Sequence, residues 1–298
     1  MKHFFEHSNS SWVRYSRYEI IDDENKIAYI TPAEDAVPEL YDPLKNTEDI
    51  VLDAVKIGKM SIGKQTKVDI EMAVLDFVSK YGLLGIMTAI PTTADFMNYD
   101  TVYLIKNQLI EQESMPALDY MNYFFPFQKP NIGKGENGVA WSVGDDVSTM
   151  AIAMTMSDRP LAMNLEFQRL YAERIDWIVR LFKDWAFIFI TCFLYYNDKE
   201  HMTDMQKQTY QKSLSLFDGE APTYHIALLD KPTLVWDFNS LATLIRTMFY
   251  FAMTDEKNPL HLCKHCQKPF VASRPSAVFC SPQCKNRYNV YKSRRKKD

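Results

Sequence analysis

Four of the five cysteines lie close together near the C-terminus, as a C-x2-C pair followed thirteen residues later by a C-x3-C pair: Cys263, Cys266, Cys280 and Cys284. Thiolates are soft donors, and two short turns that converge from different elements can supply the four ligands of a tetrahedral Zn2+ site. In an intracellular protein, paired cysteines at this spacing indicate a metal more often than a disulfide. The sequence therefore predicts one zinc ion bound by four thiolates. Replacement of one thiolate by His265 or His261 stays open.

The same stretch of chain carries a strong positive charge. Residues 258–298 contain ten Lys or Arg and one acidic residue, a balance of +9, so the rest of the chain must carry −13 to give the net charge of −4. Charge segregation of this kind favours contact between the basic part and a polyanion. On charge alone, a solvated basic tail is the alternative. Because the cysteines predict a folded support for these cations, we expect nucleic acid, duplex DNA in particular, as the partner.

The candidate nucleic-acid-binding residues follow the last cysteine: Lys285, Asn286, Arg287, Lys292, Arg294, Arg295 and Lys296. The lysines and arginines suit contacts with phosphates, which supply the sequence-independent part of affinity. Asn286 and Arg287 belong to residue types that can read base edges through paired hydrogen bonds. The alternatives are a hydrogen bond at the helix start for Asn286 and a solvated charge for Arg287.

The residues around the cysteines predict the elements that position them. We expect Cys263–Cys266 to form a zinc knuckle, and Phe270–Val271 to pair with Val278–Phe279 as a hairpin. Ser281–Pro282 combines a favoured N-cap residue with a residue favoured in the first helical turn, which places Cys284 in that turn. A knuckle, a hairpin and a helix that carries a ligand form a treble clef. About 40 residues bury too little apolar surface alone, so we expect metal binding and folding to be one event.

We expect residues 1–256 to form a mainly α-helical body with a minor α+β component, and residues 259–298 to form the zinc finger. Apolar residues at helical spacing predict a helix over 66–81 that Gly82 ends. The other predicted elements are a short hairpin within 12–30, a helix over 48–57 that ends at Gly58, a long helix from about 158 to 196, a hairpin within 224–236 and a helix capped by Asn239 or Ser240. We interpret this body as a sensor or oligomerisation unit whose small-molecule ligand the sequence does not identify.

The most apolar run of the chain, Trp185–Tyr196, has 12 residues and contains the fifth cysteine, Cys192. A membrane span needs about 20 such residues, so we interpret the run as a buried helix and Cys192 as a core thiol. The N-terminus has no apolar signal-peptide core. We therefore expect a cytoplasmic protein without a membrane partner.

The C-terminal segment, with its four cysteines and Tyr- and Lys/Arg-rich end, resembles the zinc finger of bacterial CGNR-type proteins. Cys284–Arg287, read as Cys-Lys-Asn-Arg, aligns with the motif that names the family, with Lys285 where the family usually has Gly. The resemblance covers about 40 residues well and is only suggestive over the rest of the chain. It implies a mainly helical N-terminal domain before the finger and a role in transcriptional regulation. The Lys285 departure weakens any inference that depends on a glycine backbone contact there.

These observations favour a nucleic-acid-binding regulator that uses Zn2+ and has no catalytic residues. A zinc-stapled protein–protein interaction module is the alternative, because many treble clefs bind proteins. Nucleases with a treble clef need a histidine in the hairpin after the first knuckle to activate water. Residues 267–279 contain none, and none follows Cys284, so the sequence disfavours an enzyme.

Overall fold

The computed structural model describes residues 6–89, 101–104, 109–128, 165–215 and 221–294. Helices make up 47% and strands 21% of these residues, which is a mixed α/β composition. The prediction of a mainly α body is therefore wrong. The strands are only two to six residues long, and some pair with distant parts of the chain, as β1 does with β10 and β8 with β4. Local periodicity therefore detects the helices and underestimates the sheets.

The helices vary in length from four residues to 24. A 3₁₀ turn at Pro43–Asn46 precedes the first of them. The helices are α1 (Thr47–Ile62), α2 (Lys67–Tyr81), α3 (Ile86–Ala89), α4 (Ala117–Asn122), α5 (Leu165–Leu170), α6 (Ile175–Asp198), α7 (Asp204–Ser215), α8 (Leu241–Thr254) and α9 (Pro282–Arg294).

The strands form several small sheets. Their bounds are β1 (Ser8–Asn9), β2 (Trp12–Tyr15), β3 (Tyr18–Asp22), β4 (Ala28–Pro32), β5 (Pro38–Tyr41), β6 (Thr101–Tyr103), β7 (Ser114–Pro116), β8 (Glu173–Arg174), β9 (Thr223–Leu228), β10 (Pro232–Asp237), β11 (Leu260–Leu262) and β12 (Pro269–Val271). The sheet orders are β1-β10-β9, β3-β4-β8, β2-β5, β6-β7 and β11-β12. The predicted hairpin within 224–236 is confirmed as β9–β10. The predicted N-terminal hairpin is β3–β4, and β2 pairs with β5 instead of joining it.

Helix α2 is confirmed, and its ends have a clear local cause. Thr66 and Asp69 form a reciprocal capping box at its start, and Gly82 (φ +84°) follows its last residue. Helix α8 likewise starts after Ser240, whose hydroxyl accepts a hydrogen bond from the Thr243 N–H at 3.0 Å. These caps satisfy N–H groups that have no partner within the helix.

Helix α1 does not end at Gly58 as predicted; it continues to Ile62. Gly58 lies inside it, where α1 crosses α6. A Cβ at Gly58 would overlap the carbonyl oxygen of Phe182 and lie 2.7 Å from the Cβ of Ala186. The glycine therefore permits close approach of two helices and does not end one.

The predicted long helix is also divided. Residues 158–164 lie outside the described part of the chain, and α5 and α6 are separated by β8, which pairs with β4. Glu173 in β8 is fully buried, and its carboxylate accepts hydrogen bonds from the N–H groups of Leu84 (2.7 Å) and Ile86 (2.8 Å) and from the Tyr171 hydroxyl (2.9 Å). Local sequence favours a helix here, but these long-range bonds hold an extended backbone.

The core is apolar and strongly aromatic, and it draws on α1, α2, α6, α8 and the N-terminal strands. Aromatic rings connect three helices within it: Phe77 of α2 meets Phe182 of α6 edge-on, and Trp185 of α6 stacks on Phe249 of α8. Within the described residues, no helix has both the length and the apolar character required to cross a membrane.

Candidate metal centre

The predicted cluster of four cysteines is confirmed. The Sγ atoms of Cys263, Cys266, Cys280 and Cys284 all lie within 4.8 Å of one another. The Sγ atom of Cys280 lies 3.7 Å from that of Cys266 and 3.5 Å from that of Cys284. A regular tetrahedron with metal–sulfur bonds of about 2.3 Å has sulfur–sulfur edges of about 3.8 Å. All four are free thiols, and these separations far exceed a disulfide bond of about 2.05 Å.

The first pair of thiols is presented by a tight turn. The Gln267 N–H donates to the Cys263 carbonyl at 2.8 Å, and the Cys263 N–H donates to the Lys268 carbonyl at 2.9 Å. Gln267 has φ +57°, in the left-handed region that glycine adopts most easily. This reversal brings both cysteines of the turn to one side, as the predicted knuckle requires.

The hairpin of this region differs from the predicted one. Strands β11 and β12 flank the knuckle and pair with each other, with His261 opposite Phe270. Val278 forms no strand, and its carbonyl accepts from the Lys264 N–H at 2.9 Å. Either pairing closes a loop of six residues, so loop closure does not distinguish them. The observed hairpin places β12 beside β11, whose Leu260 is buried in the body core, and β12 itself packs against α1.

The second pair of thiols lies at the start of α9, as predicted. The Ser281 hydroxyl accepts from the Cys284 N–H at 3.2 Å, and Pro282 is the first helical residue. Cys284 therefore lies in the first turn, where the helix dipole favours a negative charge.

The pKa values of Cys263 and Cys280 shift in opposite directions, because the backbone and the neighbouring thiols act differently on the two thiols. Burial raises the pKa of Cys263, but N–H groups of Cys266, Cys280 and His265 outweigh it and lower that pKa to about 6. Burial and the neighbouring thiols raise the pKa of Cys280 to about 12. Four thiolates this close cannot all ionise beside one another without a cation, and a bound metal removes this conflict.

Neither histidine near the cluster belongs to it. The His265 ring stacks on Tyr291 with 5.9 Å between centroids, and the His261 ring lies 6.2 Å from that of Phe270. The fifth cysteine, Cys192, is half-buried on α6 and packs against the body core, and burial raises its pKa.

The cysteine cluster is attached to the body through the hairpin. Leu260 is buried in the body core, and β12 packs against α1. The Lys59 ammonium group donates to the carbonyl of Gln267 in the knuckle. Neither Lys59 nor Gln267 was among the residues predicted from the sequence. The sharp turn after Cys266 is a signal for a left-handed residue at 267, but nothing local to Lys59 indicates its contact.

Helix α9 buries no residue. Tyr288 is half-buried between the Phe279 ring at 5.2 Å and the Lys264 ammonium group at 5.6 Å. The described candidate nucleic-acid-binding residues are all exposed: Lys285, Asn286, Arg287, Lys292 and Arg294. At 100° per residue, Lys285 and Lys292 share one flank and Arg287 and Arg294 share the other. Arg295 and Lys296 lie outside the described residues.

Comparison of the chain with known protein families, curated proteins and solved structures finds no match.

Proposed function

We propose that the cluster of Cys263, Cys266, Cys280 and Cys284 binds one structural Zn2+ and that the finger so formed binds nucleic acid, duplex DNA in particular, as part of a transcriptional regulator. The single observation that carries the proposal is the junction at Cys284. There a metal ligand lies in the first turn of an exposed helix with cations on two flanks. A metal at this point would fix the position and direction of the charged helix.

The choice of zinc follows from the donor set. Four thiolates at tetrahedral spacing suit Zn2+, which forms closed four-coordinate sites with a structural role. All four ligand positions are taken by protein atoms, so such a site has no position for a substrate. This supports a structural role, and we propose that the finger has no hydrolytic activity.

The choice of nucleic acid follows from charge and shape. The two cationic flanks of α9 border an exposed outer face with Asn286, Asn289 and Ser293, which carry hydrogen-bonding groups. An α-helix fits the major groove of B-DNA, where cations can contact phosphates while a polar outer face meets base edges. We also propose that the acidic body, residues 1–256, does not contact the nucleic acid.

We further propose a distant relationship to CGNR-type zinc-finger proteins, supported by the spacing of the cysteines and by Asn286 and Arg287 after Cys284. Lys285 occupies a regular position in α9, where a lysine is readily accommodated. A protein-interaction module is the second candidate. It is favoured by the exposure of Val290 (48%) and Tyr291 (59%) on the same helix.

The test is binding of the full chain to random duplex DNA across a salt series, with native metal and after chelation. We expect log affinity to fall against log salt with a slope of roughly −4 to −5. Lys292→Ala or Arg294→Ala should each flatten this slope by about one unit, whereas Lys212→Ala on α7 is the matched control and should not. Asn286→Ala and Arg287→Ala should instead reduce discrimination between sequences.

Equal affinity with and without metal would reduce α9 to a charged tail and contradict the role of the finger. No affinity in either state would favour the protein-interaction module.

A further inference from the structure

The β9–β10 hairpin exposes an apolar face. Tyr224, Ile226 and Leu228 alternate along β9, so their side chains share one face, and they are 65%, 70% and 83% exposed. Their partners across the hairpin are Trp236, Leu234 and Pro232. These pairs extend the face over both strands, and the Tyr224 and Trp236 rings meet at 5.7 Å.

The outer edge of β9 is also open. In the sheet order β1-β10-β9, β9 is the edge strand, and no strand of the described residues pairs with its other side. The Trp236 N–H donates to the His7 carbonyl at 3.0 Å, so Trp236 directs its backbone groups towards β1 and away from β9. Trp236 and Tyr224 are therefore a non-hydrogen-bonded pair. It follows that Tyr224, Ile226 and Leu228 direct their own N–H and C=O groups outwards.

The same three residues thus present both the apolar side chains and the open backbone groups. A six-residue edge strand without Lys, Pro or a bulge lacks the usual protection against edge pairing. With Leu229 (60% exposed) and Leu234 (44% exposed), these side chains expose on the order of 600 Å² of apolar surface. Pairing at the edge of β9 brings these side chains into cross-strand contact with those of the partner strand and buries part of this area together with the open backbone edge.

We propose that β9 pairs antiparallel with β9 of a second copy of this chain around a two-fold axis at Ile226, joining the two hairpins into one continuous six-stranded sheet.

The open edge of β9 fits a second copy of the same chain, because β9 is complementary to itself when the two strands run antiparallel. With Ile226 opposite its counterpart, Tyr224 faces Leu228 of the other copy, and all the apolar side chains fall on one face. The outward N–H and C=O groups of these three positions then exchange six backbone hydrogen bonds, as hydrogen-bonded pairs do in an antiparallel ladder. A two-fold axis doubles any charge near it. The one basic side chain of β9 is His225, which lies on the opposite face and bonds to Asp237, and β9 has no Asp or Glu.

The test is the mass of the full chain in solution, measured by light scattering and sedimentation over a concentration series. We expect a dimer of twice 34.8 kDa. Ile226→Lys places two like charges at the axis and should raise the dimer dissociation constant at least 100-fold. Val68→Lys, an exchange at an equally exposed apolar site (65%) on α2, is the matched control and should leave the dimer intact. A wild-type monomer at 50 μM, or an Ile226→Lys protein as dimeric as wild type, would overturn the proposal.

Hydrogen exchange of the unaltered chain gives a second test. The Ile226 amide should exchange more slowly as protein concentration rises. An Ile226 exchange rate that does not depend on concentration would also overturn the proposal.

Discussion

The part of the chain before Asn258 and the cysteine-rich part after it are stabilised by different means. The first is built around a continuous core of buried aliphatic and aromatic side chains. In the second, α9 buries no residue, and the elements converge on four sulfur atoms. Burial of apolar surface contributes about 25 cal/mol per Å², which stabilises a large core well and a segment of 40 residues poorly.

This difference determines which substitutions each part of the chain tolerates. A core depends on the volume of many side chains, so single errors of shape are costly but rarely abolish the fold. A segment stabilised by a bound metal, as we propose for the cysteine-rich part, depends on a few atoms, and loss of one ligand would remove most of the stabilisation. Leu260 and the Lys59–Gln267 bond connect the two parts, so we expect β11 to follow the body and α9 to follow the metal.

The largest effect should come from loss of the metal. We expect about one zinc per chain, and Cys280→Ala or chelation should unfold residues 263–294, because binding of a structural zinc contributes about 10–16 kcal/mol. Helices of the body should remain protected from hydrogen exchange. Cys192→Ala is the matched control and should retain the metal. If α9 stayed protected from hydrogen exchange in the metal-free protein, the metal would not be what stabilises the cysteine-rich part.

Gly58→Ala should destabilise the body by about 3 kcal/mol or more, since the added Cβ overlaps the backbone of α6 at Phe182. Urea unfolding followed by tryptophan fluorescence measures this change. Lys56→Ala, an exposed substitution two residues earlier on α1, is the control and should change stability little. An unchanged unfolding midpoint for Gly58→Ala would show that α1 and α6 can separate without cost.

Glu173 should make the body less stable as pH rises. Burial raises its pKa from 4.5 to about 7, against the opposing effect of the N–H groups and the Tyr171 hydroxyl. Between these pH values the folded state keeps a proton that the unfolded state has released. This proton uptake contributes up to about 3 kcal/mol to the free energy of unfolding. The contribution is fully present below pH 4.5 and is lost as pH rises through 7. Urea midpoints from pH 5 to 8 should fall for the native chain and fall less for Glu173→Gln. If the urea midpoints of the two proteins changed in parallel with pH, Glu173 would not be the source of this pH dependence.

The smallest effect concerns the knuckle. Gln267 has φ +57°, so a β-branched residue there should cost roughly 1–2 kcal/mol, whereas Gln267→Gly should be tolerated. Competition with a chelator should give weaker zinc binding for Gln267→Val than for Gln267→Gly. Equal affinities would show that the turn does not control the metal site.

Local signals explain what was predictable. The close spacing within each cysteine pair, the apolar period over 66–81 and the Ser281–Pro282 helix start are local patterns, and all three are confirmed. The predictions that were wrong concern features that local sequence does not determine. Gly58 looks like a helix end but serves a contact with Phe182, 124 residues later, and the hairpin strands at the metal site flank the knuckle instead of following it.

The sequence by itself determined the ligand set, because four soft donors at this spacing specify their own chemistry, and it determined the helices whose apolar period and caps are local. Only the tertiary structure decided the mixed α/β architecture, the burial of Glu173, the anchoring of the knuckle by Lys59 and the open edge of β9. Each of these depends on which distant segments pack together. That choice is a balance of burial and loop closure over the whole chain, which no local pattern encodes.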